Sequence, residues 1–311
     1  MTKKQSMDMA QTILMVRPND FGYNSETAAS NAFQSESLGN EHEIAINALR
    51  EFDAMVEVLL KNHIEVIIIE DTESPHTPDA VFPNNWFSTH EDGTVILYPM
   101  MAPNRRLERR SDILAILSSK YAVHEVYDLS VHEVNDRFLE GTGSIVFDHV
   151  SRIAYAALSE RTNRSVFEEC CKLLGYEPIA FRAFHEDGLP VYHTNVLMHV
   201  SPVISAICKE MIHQEDQAYV MESLLQHSNA IIHLDSMQVH RFAGNMLCVL
   251  NSKREPCLIG SETGFNSLTN QQLNLIYQSC TPVSVNIPTI ESIGGGSARC
   301  MIAEISLPHR G

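Results

Sequence analysis

The stretch SIVFDHVSRIAYAALSERTNRSVFEECCKLLGYEPIAF, Ser144 to Phe181, decides the fold. It reads as two short strands, Ser144 to Phe147 and Ile153 to Ala157, then a helix from Arg164 to Leu174, then a third strand from Pro178 to Phe181. The same order recurs on both sides. The copy before it has strands at Ala80 to Phe87 and Thr94 to Tyr98, a helix at Leu107 to Ser118 and a strand at Ala122 to Tyr127. The copy after it has strands at Thr194 to His199 and Val203 to Cys208, a helix at Glu215 to Gln226 and a strand at Ala230 to Leu234. A further copy has strands at Met246 to Leu250 and Cys257 to Ile259, a helix at Asn270 to Gln278 and a strand at Pro282 to Val285. A final half-unit begins at Cys300.

At the other end lie a buried strand, Thr12 to Val16, an amphipathic helix, Glu41 to Lys61, and a strand, Ile64 to Ile69. Between the first two, Asn19 to Asn40 is polar and reads as a long loop, a length that often marks a lid or binding loop. Strand-strand-helix-strand units at a steady period indicate a radial or stacked α/β repeat, with residues 1–311 forming one domain. Polar residues near the start of successive units, Asn85, Glu140, His193, Asn245 and Cys300, are spaced 55, 53, 52 and 55 residues apart. In a ring of such units they converge on one central channel.

Composition narrows the partners. Lys plus Arg number 22 against 39 Asp plus Glu, a formal charge of −17, which argues against nucleic-acid or anionic-membrane binding and for a small substrate. Seven cysteines without a regular spacing suggest a reducing compartment. The polar start, Met1 to Gln11, and the brevity of the Ile13–Val16 apolar run offer no signal or span, so a cytoplasmic location is expected. No zinc-protease or Cys-x-x-Cys spacing occurs among the fifteen histidines and the cysteines, and no glycine-rich phosphate loop ends in Lys-Ser/Thr. Neither a metal nor a cofactor is therefore expected.

The chemistry gathers at Gly294-Gly295-Gly296-Ser297-Ala298-Arg299-Cys300. Glycines allow close backbone approach to a ligand, and Arg299 beside the cysteine is expected to favour its thiolate. Cys300 as nucleophile, His193 as proton relay and Glu140 as the carboxylate orienting the imidazole make the parts of an activated-thiol enzyme. A buried structural cysteine, an ordinary strand histidine and a solvated turn glutamate are the alternatives, and His233 with Asp235 is a rival pair out of phase with the other anchors.

Six motifs in order carry a family resemblance: Pro78-Asp79-Ala80-Val81-Phe82-Pro83-Asn84-Asn85, Ala102-Pro103-Asn104-Arg105-Arg106-Leu107-Glu108, Glu140-Gly141-Thr142-Gly143, Leu158-Ser159-Glu160-Arg161-Thr162-Asn163, His193-Thr194-Asn195 and the triple glycine before Cys300. From about Arg17 onward they resemble the guanidino-group modifying, or pentein, superfamily. The resemblance implies a five-bladed α/β propeller with a central active site and cofactor-free Cys300/His193/Glu140 chemistry. It further implies substrate contacts from Asp79, Asn84, Asn85, Asn195, Arg105, Arg152 and Asn19, with Arg105 and Arg152 on the α-carboxylate and the loop after Arg17 as lid. A homodimer is also implied.

Two departures refine the substrate. Members acting on guanidinium usually carry a carboxylate where this chain has Asn85, and several carry one where it has Asn195. Amides offer donors and acceptors without charge and suit a neutral ureido group. The expected reaction is hydrolysis of L-citrulline to ornithine, ammonia and carbon dioxide, the reaction of citrulline hydrolase (citrulline ureidase). The alternatives are a guanidino-modifying enzyme (arginine deiminase, dimethylarginine dimethylaminohydrolase or amidinotransferase) and an inactive propeller used for binding.

Overall fold

A computed structural model describes residues 9–35 and 40–310. The expectation drawn from the polar start of the chain falls largely on residues 1–8, outside the described residues, as does the part of the long loop at 36–39.

Among the described residues, fifteen strands form five three-stranded sheets. The first joins the two ends of the chain: β1 (Thr12–Arg17) lies between β2 (Glu65–Glu70), parallel to it, and β15 (Ala303–Ile305), antiparallel to it. The second holds β3 (Phe87–Thr89), β4 (Thr94–Leu97) and β5 (Glu125–Asp128); the third β6 (Val146–Asp148), β7 (Ile153–Ala157) and β8 (Glu177–Phe181). The fourth holds β9 (Met198–His199), β10 (Ser205–Ile207) and β11 (Ile231–His233); the fifth β12 (Leu247–Leu250), β13 (Pro256–Ser261) and β14 (Thr281–Val285). In the second to fifth sheets, the first two strands pair antiparallel, and a helix crosses over to a third strand parallel to the second; in the first sheet β15, β1 and β2 take these three places.

The crossover helices form because one stripe of each is apolar. In Glu41–Lys61 the buried residues Ile44, Ala48, Phe52, Met55, Val56 and Leu59 recur at three- and four-residue steps, and Asn40 caps the first turn by accepting from the His42 amide. Arg164–Leu174 is capped by the Asn163 side chain at one end and by left-handed Gly175 at the other.

Each seam between sheets is tied near the axis. Thr142 Oγ1 donates to the Asn84 carbonyl (3.3 Å), and Thr194 Oγ1 to the Ser144 carbonyl. Asn245 Nδ2 donates to the Asn195 carbonyl (3.1 Å), and the Arg299 amide to Asn245 Oδ1 (3.1 Å). Thr89 Oγ1 donates to the Glu304 carbonyl (2.9 Å), which completes the ring of five blades.

The expected first strands begin too early. Short helical turns, Pro83–Asn85, Gly141–Ser144 and Thr194–Leu197, stand where strands were expected from Ala80, Ser144 and Thr194. Cys300 likewise lies in a turn, and the strand starts only at Ala303. These inter-blade contacts hold turn backbone at the axis, and such packing overrides the β-branched character of Thr194 and Val196. The expected helix at Leu107 is instead a 3₁₀ segment, Pro103–Glu108, with the α-helix running Ser111–Lys120. The long polar loop contains a short helix, Ser25–Ala28.

Candidate active site

The turns that open the blades bring Cys300, His193 and Glu140 to the axis, where all three are buried. His193 Nε2 lies 2.8 Å from Glu140 Oε2. The other carboxylate oxygen accepts from the Met101 amide (3.0 Å), and Arg161 Nη1 donates to Oε2 (3.5 Å). Burial alone would raise the Glu140 carboxyl. Arg161, the His193 hydrogen bond and Arg105 outweigh it and hold the carboxyl well below its usual range. Glu140 is therefore ionised and accepts a hydrogen bond from the Nε2–H of His193, which leaves Nδ1 as the basic nitrogen. Burial pushes the His193 imidazole down to about 4 although Glu140 favours its charged form, so the ring is neutral at pH 7.

The sulfur of Cys300 is flanked by amides. Asn245 Nδ2 donates to it at 3.3 Å and Asn195 Nδ2 at 3.6 Å. Arg299, expected to charge its surroundings, is spent elsewhere: it pairs with Glu304 (2.7 Å) and donates to the Ile302 carbonyl (2.8 Å). The glycine run sits against Phe82: a Cβ on Gly294 or Gly296 would fall 2.8 or 2.9 Å from its ring. Gly295 is left-handed (φ +65°), and its carbonyl accepts from the Tyr192 hydroxyl at 2.6 Å.

Asn85 and Arg105 line the same cavity as Cys300 and His193. Arg105 is buried and clasped by Glu108, with Nε to Oε1 and Nη2 to Oε2 both 2.9 Å, while Nη1 donates to Asn85 Oδ1 at 2.8 Å. Asp79 lies 3.7 Å from Arg105 and accepts from Asn24 Nδ2 at 2.7 Å; its Oδ1 is buried without a partner among the described residues. Asn84 does not line the cavity, and its backbone carbonyl holds Thr142.

Two expected contacts are corrected. Arg152 stands in the turn joining β6 to β7, at the far end of its blade. Its guanidinium covers the Tyr176 ring (4.3 Å) and donates to the Leu174 carbonyl, on the edge of a separate cavity of about 560 Å³. Arg161, inside a motif already singled out, is the arginine that lines the site together with Arg105. Asn19 is exposed just after β1; Asn24 is the lid asparagine that reaches Asp79. Asn24, Glu108, Arg161, Tyr192 and Asn245 were not assigned from sequence. The signal for Asn245 was its place in the period, and for Glu108 and Arg161 their motifs. The rival pair is ordinary, Asp235 capping the helix Ser236–His240.

The lid is shut. Arg161 Nη2 donates to the Thr27 carbonyl (2.9 Å) and Asn31 Nδ2 to the Gly294 carbonyl (3.2 Å). The cavity beneath measures about 20 Å³, room for roughly one water molecule and too small for an amino acid in this closed arrangement.

Five blades around an axial cysteine, histidine and glutamate define a member of the pentein superfamily. Residues 17–307 match the family described as N,N dimethylarginine dimethylhydrolase, eukaryotic, and the chain belongs to that family. Comparison with curated proteins by sequence returned no match. Among solved structures, ArgZ, an arginine dihydrolase from the ornithine-ammonia cycle in cyanobacteria, superposes with a TM-score of 0.74 at 16% identity. That alignment covers 96% of this chain, which spans only 41% of that ArgZ chain. The N-terminal domain of ArgZ, as a cysteine-to-serine variant bound to substrate, gives 0.72 at 17% identity, covering 96% of this chain and 98% of that one. A dimethylarginine dimethylaminohydrolase variant, as an adduct with S-methyl-L-thiocitrulline, gives 0.65 at 14% identity and covers 96% and 100%. At these identities the likeness is one of fold. Among the described residues no helix is long and apolar enough to cross a membrane.

Proposed function

We propose that this chain is a cysteine hydrolase of the ureido group of L-citrulline or a close ureido amino acid. The observation that carries the proposal is the chemistry around the sulfur. Asn245 and Asn195 bring amide N–H groups to 3.3 and 3.6 Å from the Cys300 sulfur, and Asn85, which lines the cavity, has its Nδ2 buried without a partner among the described residues. Glu140 is committed to His193 and Arg161, and Glu108 to Arg105, which leaves Asp79, beside Arg105 at 3.7 Å, as the cavity carboxylate with a free oxygen, suited to the amino-acid end of the substrate. A guanidinium here would meet donors instead of countercharges, and an unpaired buried ion costs roughly several kcal/mol. A ureido oxygen meets the donors it needs.

In this reading His193 Nδ1 takes the Cys300 proton and the sulfur attacks the ureido carbon. His193 returns the proton to the departing nitrogen as the C–N bond breaks, leaving a thiocarbamate on Cys300. Water, deprotonated by the same Nδ1, displaces the sulfur, and the resulting carbamate loses carbon dioxide. Citrulline and one water thus yield ornithine, ammonia and carbon dioxide, whichever C–N bond breaks first. Asp79 Oδ1 suits the α-ammonium, and Arg161, which lines the cavity, supplies positive charge for the α-carboxylate. The test is product analysis: ornithine and ammonia in equal amounts from citrulline, both lost in Cys300→Ser. No ornithine at any pH would sink the substrate assignment.

Family membership favours the second reading, a guanidino enzyme. Citrulline from arginine, or dimethylamine from methylated arginine, at a higher kcat/KM than citrulline turnover would establish it.

A further inference from the structure

Asn85 can serve either kind of substrate, because an amide offers an oxygen on one side and N–H groups on the other. Which side faces the reacting carbon decides whether the site favours a carbonyl or a cation. In the structure the oxygen is taken: Arg105 Nη1 donates to Asn85 Oδ1 at 2.8 Å. Asn85 Nδ2 is left buried and without a partner among the described residues. It meets the catalytic base over Gly143, where a Cβ would fall 2.5 Å from Asn85 Nδ2 and 2.7 Å from His193 Nδ1. Arg105 cannot turn away, since Glu108 grips it at two points and the Phe82 carbonyl accepts from Nη2 at 3.3 Å. Of its five N–H groups these contacts leave one, on Nη1, so Arg105 is poorly placed to fork a substrate carboxylate.

We propose that Arg105, fixed by Glu108, is a specificity-determining positioning residue that turns the Asn85 amide N–H toward the reacting carbon and so selects a ureido oxygen over a guanidinium. The inference rests on the ureido reading of the site and adds the residue that enforces it. Arg105 acts through Asn85, so its effect falls on the ratio of two substrates and depends on Asn85 being present. A merely structural role would lower both activities together.

The experiment measures kcat/KM for L-citrulline and L-arginine in the wild type, Arg105→Lys, the charge-neutral pair Arg105→Gln/Glu108→Gln, and the same pair on an Asn85→Ala background. With the amide free to flip, the citrulline-to-arginine ratio is expected to fall roughly tenfold or more in the neutral pair, the worth of one misplaced hydrogen bond. Lysine, which retains a charged donor, should restore most of the ratio. On the Asn85→Ala background the pair should leave the ratio where Asn85→Ala alone puts it. An unchanged ratio in the folded neutral pair, or an equal shift without Asn85, overturns the proposal. If the neutral pair does not fold, Arg105→Lys decides against Asn85→Ala: a lysine ratio as low as the alanine one overturns it. A wild type that prefers arginine refutes the ureido reading itself, an outcome visible before any variant is made.

Discussion

His193 touches Glu140 through Nε2 and faces Gly143 through Nδ1, and that asymmetry sets its chemistry. An ionised Glu140 accepts from Nε2–H and so fixes one tautomer, leaving Nδ1 free for the base role that the proposed mechanism gives it. Glu140→Gln keeps an acceptor near Nε2 but loses the charge that stabilises the imidazolium formed during turnover. A loss of roughly 10²- to 10⁴-fold in kcat is expected, with the protein still folded. The base works only when neutral, and burial holds its proton affinity down to about 4. The acid limb of the wild-type kcat/KM profile should therefore fall far below the pH 6.5 of an ordinary histidine. A limb at 6.5 would mean that His193 is solvated, or is not the base.

The lid and the hairpins show where element-scale reading succeeds and where it stops. Helices Glu41–Lys61 and Arg164–Leu174 were legible to the residue, because a one-sided apolar stripe and an asparagine cap are local facts. The early strand starts and the Arg152 assignment were not. Arg152 and Arg161 are nine positions apart, but a hairpin carries the chain to the far end of its blade and back. The turn residue is thus remote from the axis, while the residue past the second strand returns to it. Charge and spacing do not reveal that reversal without strand ends fixed to within a residue. The lid posed the same problem: Asn24, and not Asn19, caps Ser25–Ala28 and also holds Asp79 and Asn104. Asn24→Ala should loosen the closed lid, raising KM severalfold and speeding proteolysis near residues 24–35, with a stability loss of about 1 kcal/mol from the missing cap. An unchanged KM and cleavage rate would show that the lid is held elsewhere.

At the scale of the molecule, a ring closed by its own termini buries polar groups at the axis and inside the blades. Burial lowers four histidines together: His193 to about 4, His199 to about 4, His90 to about 3, and His185 in the same direction. In the unfolded chain each titrates near 6.5, so below that pH the unfolded state binds protons that the folded state refuses. Their contribution is intact above pH 6.5 and is lost as pH falls toward 4, on the order of 3 kcal/mol for each of His193, His199 and His90. Thermal melts should show Tm dropping steeply over that window, and less steeply in His90→Gln or His199→Gln. A flat profile between pH 6.5 and 4 would contradict the neutral burial of these rings.

The most direct measurement offers the enzyme an equimolar mixture of L-citrulline and L-arginine and follows the loss of each, which gives the ratio of kcat/KM. The wild type should consume citrulline first and release ornithine. In Asn85→Asp one carboxylate oxygen stays with Arg105 and the other faces the reacting carbon. Citrulline turnover should then fall roughly tenfold to more than a hundredfold while arginine binding improves. Arginine consumed first by the wild type, or both substrates weakened in proportion by Asn85→Asp, would contradict the claim that amides at the axis select a ureido group.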